Sequence, residues 1–192
     1  GKKILNRLEH YCVTFDYWKK FHSEGKLFEI ISELLGEEAV LFKDKINLKL
    51  PGGDGFKPHQ DMHGEWELYA DYFISTCIAI DPSTIENGCL EVSPGHHKKG
   101  LIGKLWEPIP ASDLESIKFI PMTMEPGDCI LFDSFTPHQS ASNKSTMSRK
   151  NIFLSYNRKS AGDHLRKYYA DKFKSYPPDV YRDKGKEYIY RV

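Results

Sequence analysis

The sequence predicts a mainly β sandwich or barrel with flanking α-helices, and three observations support this fold class. Short runs rich in β-branched and aromatic residues follow one another through the middle of the chain, separated by Pro, Gly, Asn and Asp. The segments Glu86-Asn87-Gly88 and Gly127-Asp128 are turns of the kind that join antiparallel neighbours. Helical periodicity is confined to the two ends of the chain.

Helices are predicted over residues 4–15, 26–35 and 163–173. In the first, apolar residues such as Leu5, Leu8 and Cys12 recur at steps of three and four and form one apolar stripe. The second has the same periodicity, and Gly36 is well placed to end it in the left-handed conformation. The third precedes a charged, Tyr-rich end.

Strands are predicted over residues 46–50, 72–80, 89–92, 117–124, 128–132 and 152–156. In the first strand Ile46 and Leu48 alternate with Asn47 and Lys49, so the two sets face opposite sides. No repeat or linker divides the chain, and we expect residues 1–192 to form a single domain. The chain starts at Gly1 without a Met, and the sequence leaves open whether this N-terminus is native or truncated.

Composition excludes several classes of protein. A hydrophobic content of 40% in 192 residues is enough for a core, and 27 basic against 27 acidic residues leave no positive excess for nucleic acid or an anionic membrane. The apolar runs are too short for a membrane helix. Four cysteines without a CxxC pair, and no apolar signal segment, indicate reduced core thiols and a cytoplasmic location. The oligomeric state is not determined by these features.

Two separated segments carry candidate ligands for a metal. His59 and Asp61 are two residues apart where a strand is plausible, so both side chains share one face. With a distant histidine such as His138, this spacing suits a facial triad of two histidines and one carboxylate. Arg149 follows His138 by eleven residues, and we expect it to return beside that strand in an antiparallel pair, where its guanidinium can bind a carboxylate.

Together with the following segments, these residues resemble the phytanoyl-CoA dioxygenase superfamily of Fe(II)/2-oxoglutarate-dependent oxygenases. The supporting segments are Leu50-Pro51-Gly52-Gly53, residues 87–97 (NGCLEVSPGHH) and Pro126-Gly127-Asp128. The resemblance implies a double-stranded β-helix, a cupin-like jelly roll, in which His59, Asp61 and His138 form the catalytic centre and bind iron. It further implies that Arg149 pairs with the far carboxylate of 2-oxoglutarate and that Ser140 adds a hydroxyl contact.

The same resemblance implies an activity. With Fe(II), the cosubstrate 2-oxoglutarate and O₂, such an enzyme hydroxylates a small organic substrate and releases succinate and CO₂. The carboxylate of Asp61 occupies the place where related halogenases have a small residue, so hydroxylation is the expected outcome. Family members are often longer at the N-terminus than this chain.

Basic residues flank the segments that we expect to border the pocket: Lys43, Lys45, Lys49, Lys57 and Arg158. They favour a small anionic substrate. Asn47 and Lys49 are expected to face the barrel interior, where an ammonium group needs an anion. Whether Lys49 contacts the substrate or 2-oxoglutarate stays open. His63, Glu65 and Trp66 are expected in a loop, which is either one that closes over the substrate or a plain surface loop.

Three alternatives remain. The chain is either an oxygenase of small acids, an acyl-CoA hydroxylase, or a jelly-roll protein that binds a ligand without oxygenase activity. A zinc hydrolase with the same three ligands is disfavoured, because a hydrolase has no need for the dicarboxylate contact that Arg149 offers.

Overall fold

Two antiparallel sheets face each other in the computed structural model, which describes residues 5–188. The strands are β1 (Arg7–Glu9), β2 (Ala39–Lys49), β3 (Phe56–His59), β4 (Ile74–Ala79), β5 (Leu90–Val92), β6 (Ile120–Met122), β7 (Cys129–Asp133), β8 (His138–Ser140) and β9 (Arg149–Arg158). The larger sheet has the order β1-β2-β9-β4-β7, and the smaller sheet has the order β3-β8-β5-β6. The predicted mainly β jelly-roll class is confirmed.

Helices cover one face of the larger sheet. They are α1 (Asp16–Ser23), α2 (Gly25–Leu35) and α4 (Leu165–Ser175), and a short helix α3 (Ala111–Leu114) lies between β5 and β6. The predicted α2 and α4 are confirmed, and Gly36 caps α2 with φ +77°, a left-handed conformation that costs glycine little. Within residues 5–188 no helix is long and apolar enough to cross a membrane.

Two hydrophobic clusters hold the layers together. The larger one lies between the helices and the larger sheet and includes Ile31, Phe42, Phe73, Leu154 and Tyr156, each almost fully buried. The smaller cluster joins the two sheets, and its members are Cys77, Ala79, Leu90, Val92, Met124, Phe132 and Phe153. Because this second cluster fills only part of the space between the sheets, polar side chains occupy the rest of the interior.

The helix predicted over residues 4–15 is wrong; residue 4 lies outside the described residues. Residues Arg7–Glu9 form the edge strand β1, and the apolar residues Leu5 and Leu8 are 56% and 43% exposed. The buried carboxylate of Asp44 accepts hydrogen bonds from the backbone N–H groups of residues 10–12, at 2.7–3.0 Å. This contact between distant segments fixes an extended turn where the local spacing favours a helix.

Strand β2 extends the predicted strand toward the N-terminus and presents two different faces. Ile46 packs on the helix side, whereas Asn47 and Lys49 are 6% and 5% exposed and point into the interior, as the alternation predicts. The short strands β3 and β8 are too brief to give a pattern in the sequence. All four cysteines are free thiols, but Cys129 is exposed rather than in the core.

Candidate active site

Three potential metal ligands meet between β3 and β8. His59 ends β3, His138 begins β8, and the two are register partners in this antiparallel pair. Asp61 follows in a 3₁₀ turn directly after β3, with its Oδ1 3.9 Å from Nε2 of His138. One ligand atom from each of the three residues lies within 4.8 Å of the others. The arrangement suits a single divalent ion bound on one face.

Backbone carbonyls orient both imidazole rings. Nδ1 of His59 lies 2.7 Å from the Lys57 carbonyl oxygen, and Nδ1 of His138 lies 2.9 Å from that of Thr136. Since a carbonyl only accepts, each Nδ1 carries the proton and donates. Each Nε2 is then unprotonated and has a lone pair available, and this tautomer of histidine binds a metal through Nε2.

A hydroxyl fixes the third ligand. Ser75, on strand β4 of the larger sheet, donates to Oδ2 of Asp61 at 2.9 Å and also contacts the hydroxyl of Ser155 at 2.8 Å. Oδ1 of Asp61 is thereby left to face the histidines. Ser75 holds the carboxylate in one orientation, as partners of metal ligands commonly do.

The protonation states of His59, His138 and Asp61 are those that bind a metal cation. Burial lowers the pKa of His59 well below its usual value, and the nearby His138 adds to this effect; burial also lowers the pKa of His138. Burial alone would raise the pKa of Asp61, but the positive charges of His138, Lys45 and Lys43 outweigh it and bring the pKa to about 2. Near neutral pH the site therefore contains two neutral imidazoles and one carboxylate.

Arg149 reaches the interior by a different route from the one expected. It begins β9, which lies between β2 and β4 in the larger sheet, so the expected pairing with the strand of His138 is wrong. The residue is 3% exposed and is the register partner of Lys49. Its Nε atom is buried without a hydrogen-bond partner, and so is Oδ1 of Asn47 on the same inner face. Buried unpaired polar atoms of this kind indicate a place for a polar ligand.

Lys49 connects the inner faces of the two sheets. Its ammonium group donates to Oγ of Ser140 at 2.8 Å and to the carbonyl oxygens of Ala141 and Gly88 at 2.5 and 3.3 Å. Ser140 lies two residues after His138, so both side chains share the inner face of β8. The structure thus brings Ser140, Lys49 and Arg149 together at one end of the candidate site.

An open cavity of about 990 Å³ adjoins the triad at its other end. His59 and Asp61 line it, together with five lysines: Lys43, Lys45, Lys57, Lys172 and Lys186. Aromatic side chains form much of the remaining wall: Trp66, Tyr69, Trp106, Tyr168, Tyr176 and Tyr188. Burial and the charge of Lys43 lower the pKa of Lys45 to about 7. The cavity is large enough for a small organic molecule.

Other predicted site residues divide into two groups. Glu65 and Trp66 line the cavity as expected. His63 does not: it is fully buried, its Nδ1 accepts from the backbone N–H of Gln60, and its Nε2 contacts the Ile102 carbonyl oxygen. Arg158 also lies elsewhere, donating to the Leu35 carbonyl oxygen beside the helices.

Sequence reasoning missed several residues of the site. Ser75 is a polar residue within an apolar strand, and that break in the pattern is the one signal that could have identified it. Trp106 lies far along the chain from the triad, and its left-handed φ of +62° is invisible in the sequence. The cavity residues of α4 likewise have no local signal, because only the packing of that helix brings them to the site.

Comparison with known proteins gives matches over most of the chain. The family model described as phytanoyl-CoA dioxygenase (PhyH) matches residues 14–151. The chain is 36% identical over 189 residues to a 2-aminoethylphosphonate dioxygenase of the uncultured bacterium HF130_AEPn_1, covering 98% of this chain and 72% of that protein. It is 37% identical over 155 residues to a methylphosphonate hydroxylase of Gimesia maris, covering 80% of this chain and 59% of the relative.

A solved structure shows the same fold. The crystal structure of EctD from S. alaskensis with 2-oxoglutarate and 5-hydroxyectoine superimposes with a TM-score of 0.73 at 23% identity, covering 81% of this chain and 57% of that one. At this level of identity the likeness concerns the fold. The chain spans between about half and three quarters of the length of the proteins it matches.

Proposed function

The chain belongs to the phytanoyl-CoA dioxygenase family of Fe(II)/2-oxoglutarate-dependent oxygenases, and from this membership we propose that it hydroxylates a small anionic organic substrate. The reaction consumes 2-oxoglutarate and O₂ and releases succinate and CO₂. The observation that carries the proposal is the meeting of His59, Asp61 and His138, with ligand atoms within 4.8 Å of one another beside an open cavity.

The donor set fits iron. Two neutral imidazole nitrogens and one carboxylate oxygen are the ligands of the facial triad, which leaves coordination positions for other molecules. The carbonyl of Lys57, the carbonyl of Thr136 and the hydroxyl of Ser75 hold these ligands in place. When bound, the metal and 2-oxoglutarate supply the oxidising chemistry, and the protein supplies the binding and orientation.

The buried cluster behind the triad suits the cosubstrate. Arg149 offers a planar guanidinium whose Nε has no protein partner, and this group binds carboxylates in a forked geometry. Lys49 donates to the Ser140 hydroxyl, fixing it beside the same position. We assign Arg149 and Ser140 to the far carboxylate of 2-oxoglutarate, with Asn47 as a further polar contact. Because the acceptors of Lys49 are protein oxygens, we assign it to orienting this end of the site.

The cavity suits the organic substrate. Its aromatic walls offer apolar surface to a small molecule, and its lysines favour a negatively charged one. Two relatives are named for the phosphonates on which they act, 2-aminoethylphosphonate and methylphosphonate, and these compounds are small anions. We therefore propose that a short phosphonate or a comparable small acid is hydroxylated on a carbon held close to the metal ligands.

A succinate-release assay tests this function. The protein is supplied with Fe(II), 2-oxoglutarate and O₂, and a panel of phosphonates, carboxylates, amino acids and acyl-CoAs is screened. We expect one or more small anions to stimulate succinate formation, with equimolar hydroxylated product, and no stimulation in the Asp61→Ala variant. Stimulation by acyl-CoAs alone would contradict the small-substrate assignment, and ligand binding without succinate would indicate a binding protein.

A further inference from the structure

We propose that Lys43 and Lys45 form the binding site for the charged headgroup of the substrate, and that this headgroup is a phosphonate-like oxyanion with several oxygen atoms. This inference rests on the proposed function and adds the residues that bind the headgroup of the substrate. It also assigns the substrate to residues other than Lys49, for which the sequence alone left open a contact with the substrate or with 2-oxoglutarate.

The two lysines share one face of β2. Both line the cavity that contains His59 and Asp61, as the spacing of two residues along a strand requires. Lys43 lies over the rings of Trp66 and Tyr168, at 4.8 and 5.5 Å from the ring centres. The ammonium group of Lys45 lies 4.8 Å from the centre of the Phe153 ring. The ring faces attract these ammonium groups but carry no net negative charge.

Neither ammonium group has a carboxylate at ion-pair distance among the described residues. Two carboxylates act on Lys45 from further away, Asp61 and Glu9. Glu9 is already paired with Lys172 at 2.5 Å and with Arg7 at 3.4 Å. Asp61 belongs to the candidate metal ligands. Two neighbouring cations in a half-buried wall repel each other, and an anion bound between them offsets that repulsion.

That anion is distinct from the far carboxylate of 2-oxoglutarate. Lys45 pairs with Phe153 in the sheet register, whereas Lys49 pairs with Arg149. Four residues along a strand separate the two positions, which is about 13 Å of backbone. The carboxylate at Arg149 is therefore out of reach of Lys43 and Lys45. The other carboxylate of 2-oxoglutarate is the end next to the metal in the proposed function, so the substrate is the molecule left to supply an anion at Lys43 and Lys45.

The chemistry of the pair favours a phosphonate over a carboxylate. The two lysines on alternate residues are about 7 Å apart at the backbone, and their flexible stems allow both ammonium groups to reach one bound group. A tetrahedral phosphonate offers three oxygens and up to two negative charges, so both lysines gain charge-assisted hydrogen bonds. A carboxylate offers two oxygens and one negative charge, so the positive charge of one of the two lysines stays largely unneutralised.

Calorimetric binding to the metal-free protein tests the assignment without relying on turnover. The probes are two pairs with matched carbon chains: methylphosphonate with acetate, and 2-aminoethylphosphonate with β-alanine. The variants are Lys43→Met and Lys45→Met, and the control is Lys118→Met, which removes an exposed charge outside the cavity. Both test variants should fold, because replacing a half-buried lysine that has no ion-pair partner by Met leaves no buried carboxylate unpaired. Thermal melting checks this.

We expect the unmodified protein to bind at least one phosphonate more tightly than its carboxylate counterpart. Each test variant should weaken that binding roughly 10- to 100-fold, the loss typical of a charged hydrogen bond, while the control does not. Binding of 2-oxoglutarate to the Fe(II)-loaded variants, measured without O₂, should be unchanged. Unchanged phosphonate affinity in both variants, equal loss of 2-oxoglutarate binding, or no phosphonate binding at all would overturn the assignment.

These outcomes are separable from failure of the proposed function. If no compound stimulates succinate release but phosphonate binding depends on Lys43 and Lys45, the binding site stands and the oxygenase activity is contradicted. If succinate forms and the lysine variants bind every probe normally, the activity stands and the headgroup site is overturned.

Discussion

His59 and His138 face each other as register partners across β3 and β8, with ring centres 4.2 Å apart. One antiparallel pair thus sets the separation of two candidate metal ligands that lie 79 positions apart in the sequence, as their numbering shows. Since β3 ends at His59, the next turn is free to bring Asp61 to the same point. The pairing of two short strands therefore positions the whole triad.

Replacing any member of the triad should abolish tight metal binding. We expect His59→Ala, Asp61→Ala and His138→Ala each to lower the affinity for Fe(II) at least tenfold, about 1.4 kcal/mol or more, because each removes a ligand. Anaerobic titration measures this effect. His97→Ala is a matched control, since His97 contacts Asp133 outside the triad. Full iron occupancy in Asp61→Ala would exclude Asp61 as a ligand.

Arg149→Lys should weaken the binding of 2-oxoglutarate and leave iron binding near normal. Lysine keeps the positive charge but loses the planar guanidinium that binds a carboxylate through two nitrogens. We expect the concentration of 2-oxoglutarate needed for half-saturation to rise at least tenfold, as for a lost charged hydrogen bond. Arg158→Lys, which lies beside the helices, is the matched control. An unchanged requirement would place the carboxylate contact elsewhere.

Ser75→Ala should weaken metal binding without removing a ligand. The hydroxyl of Ser75 donates to Oδ2 of Asp61, and loss of such a partner typically costs 10- to 100-fold in affinity. Ser75→Thr keeps the hydroxyl and suits a strand, so it should restore most of the affinity. Titration of both variants with Co(II) measures the difference. Equal behaviour of the two variants would mean that the hydroxyl does not orient Asp61.

Acid should destabilise the metal-free protein partly through His63. Burial lowers the pKa of His63 below its usual 6.5, so the folded state resists a proton that the unfolded chain accepts. The stability that this residue contributes is complete above pH 6.5 and is lost as the pH falls toward the folded pKa, by up to about 1.4 kcal/mol per pH unit. Urea unfolding at several pH values measures the loss.

The His63→Gln variant isolates this contribution. Glutamine does not titrate in this range, so the free energy of unfolding should fall less steeply between pH 6.5 and pH 5, even if the variant is less stable at pH 7.5. Identical slopes in the variant and the parent would show that His63 takes up its proton equally in both states.

Much of the site follows from local rules in the sequence. The spacing of His59 and Asp61, the distant His138 and the motif resemblance predict the family, the fold class and the enzyme class, and these three predictions are confirmed. Alternation along a strand also predicts the buried inner positions of Asn47 and Lys49. The metal ligands and the residues assigned to 2-oxoglutarate remain predictions, which the variants above test.

Contacts between distant segments account for what the sequence could not predict. Residues 4–15 have a helical spacing, but the carboxylate of Asp44 fixes part of them in another conformation. The chain crosses to the other sheet between Ser140 and Arg149, and no local signal distinguishes that crossing from a hairpin. The cavity walls come from several such segments, so their composition depends on the assembled fold.

The central claim is that the triad forms an iron centre that holds 2-oxoglutarate. Anaerobic calorimetry of 2-oxoglutarate binding, with and without Fe(II), in the unmodified protein and in Asp61→Ala, tests it most directly. We predict that Fe(II) tightens binding at least tenfold in the unmodified protein, about 1.4 kcal/mol, and has no such effect in the variant. Equal affinity with and without Fe(II) in the unmodified protein would contradict the account.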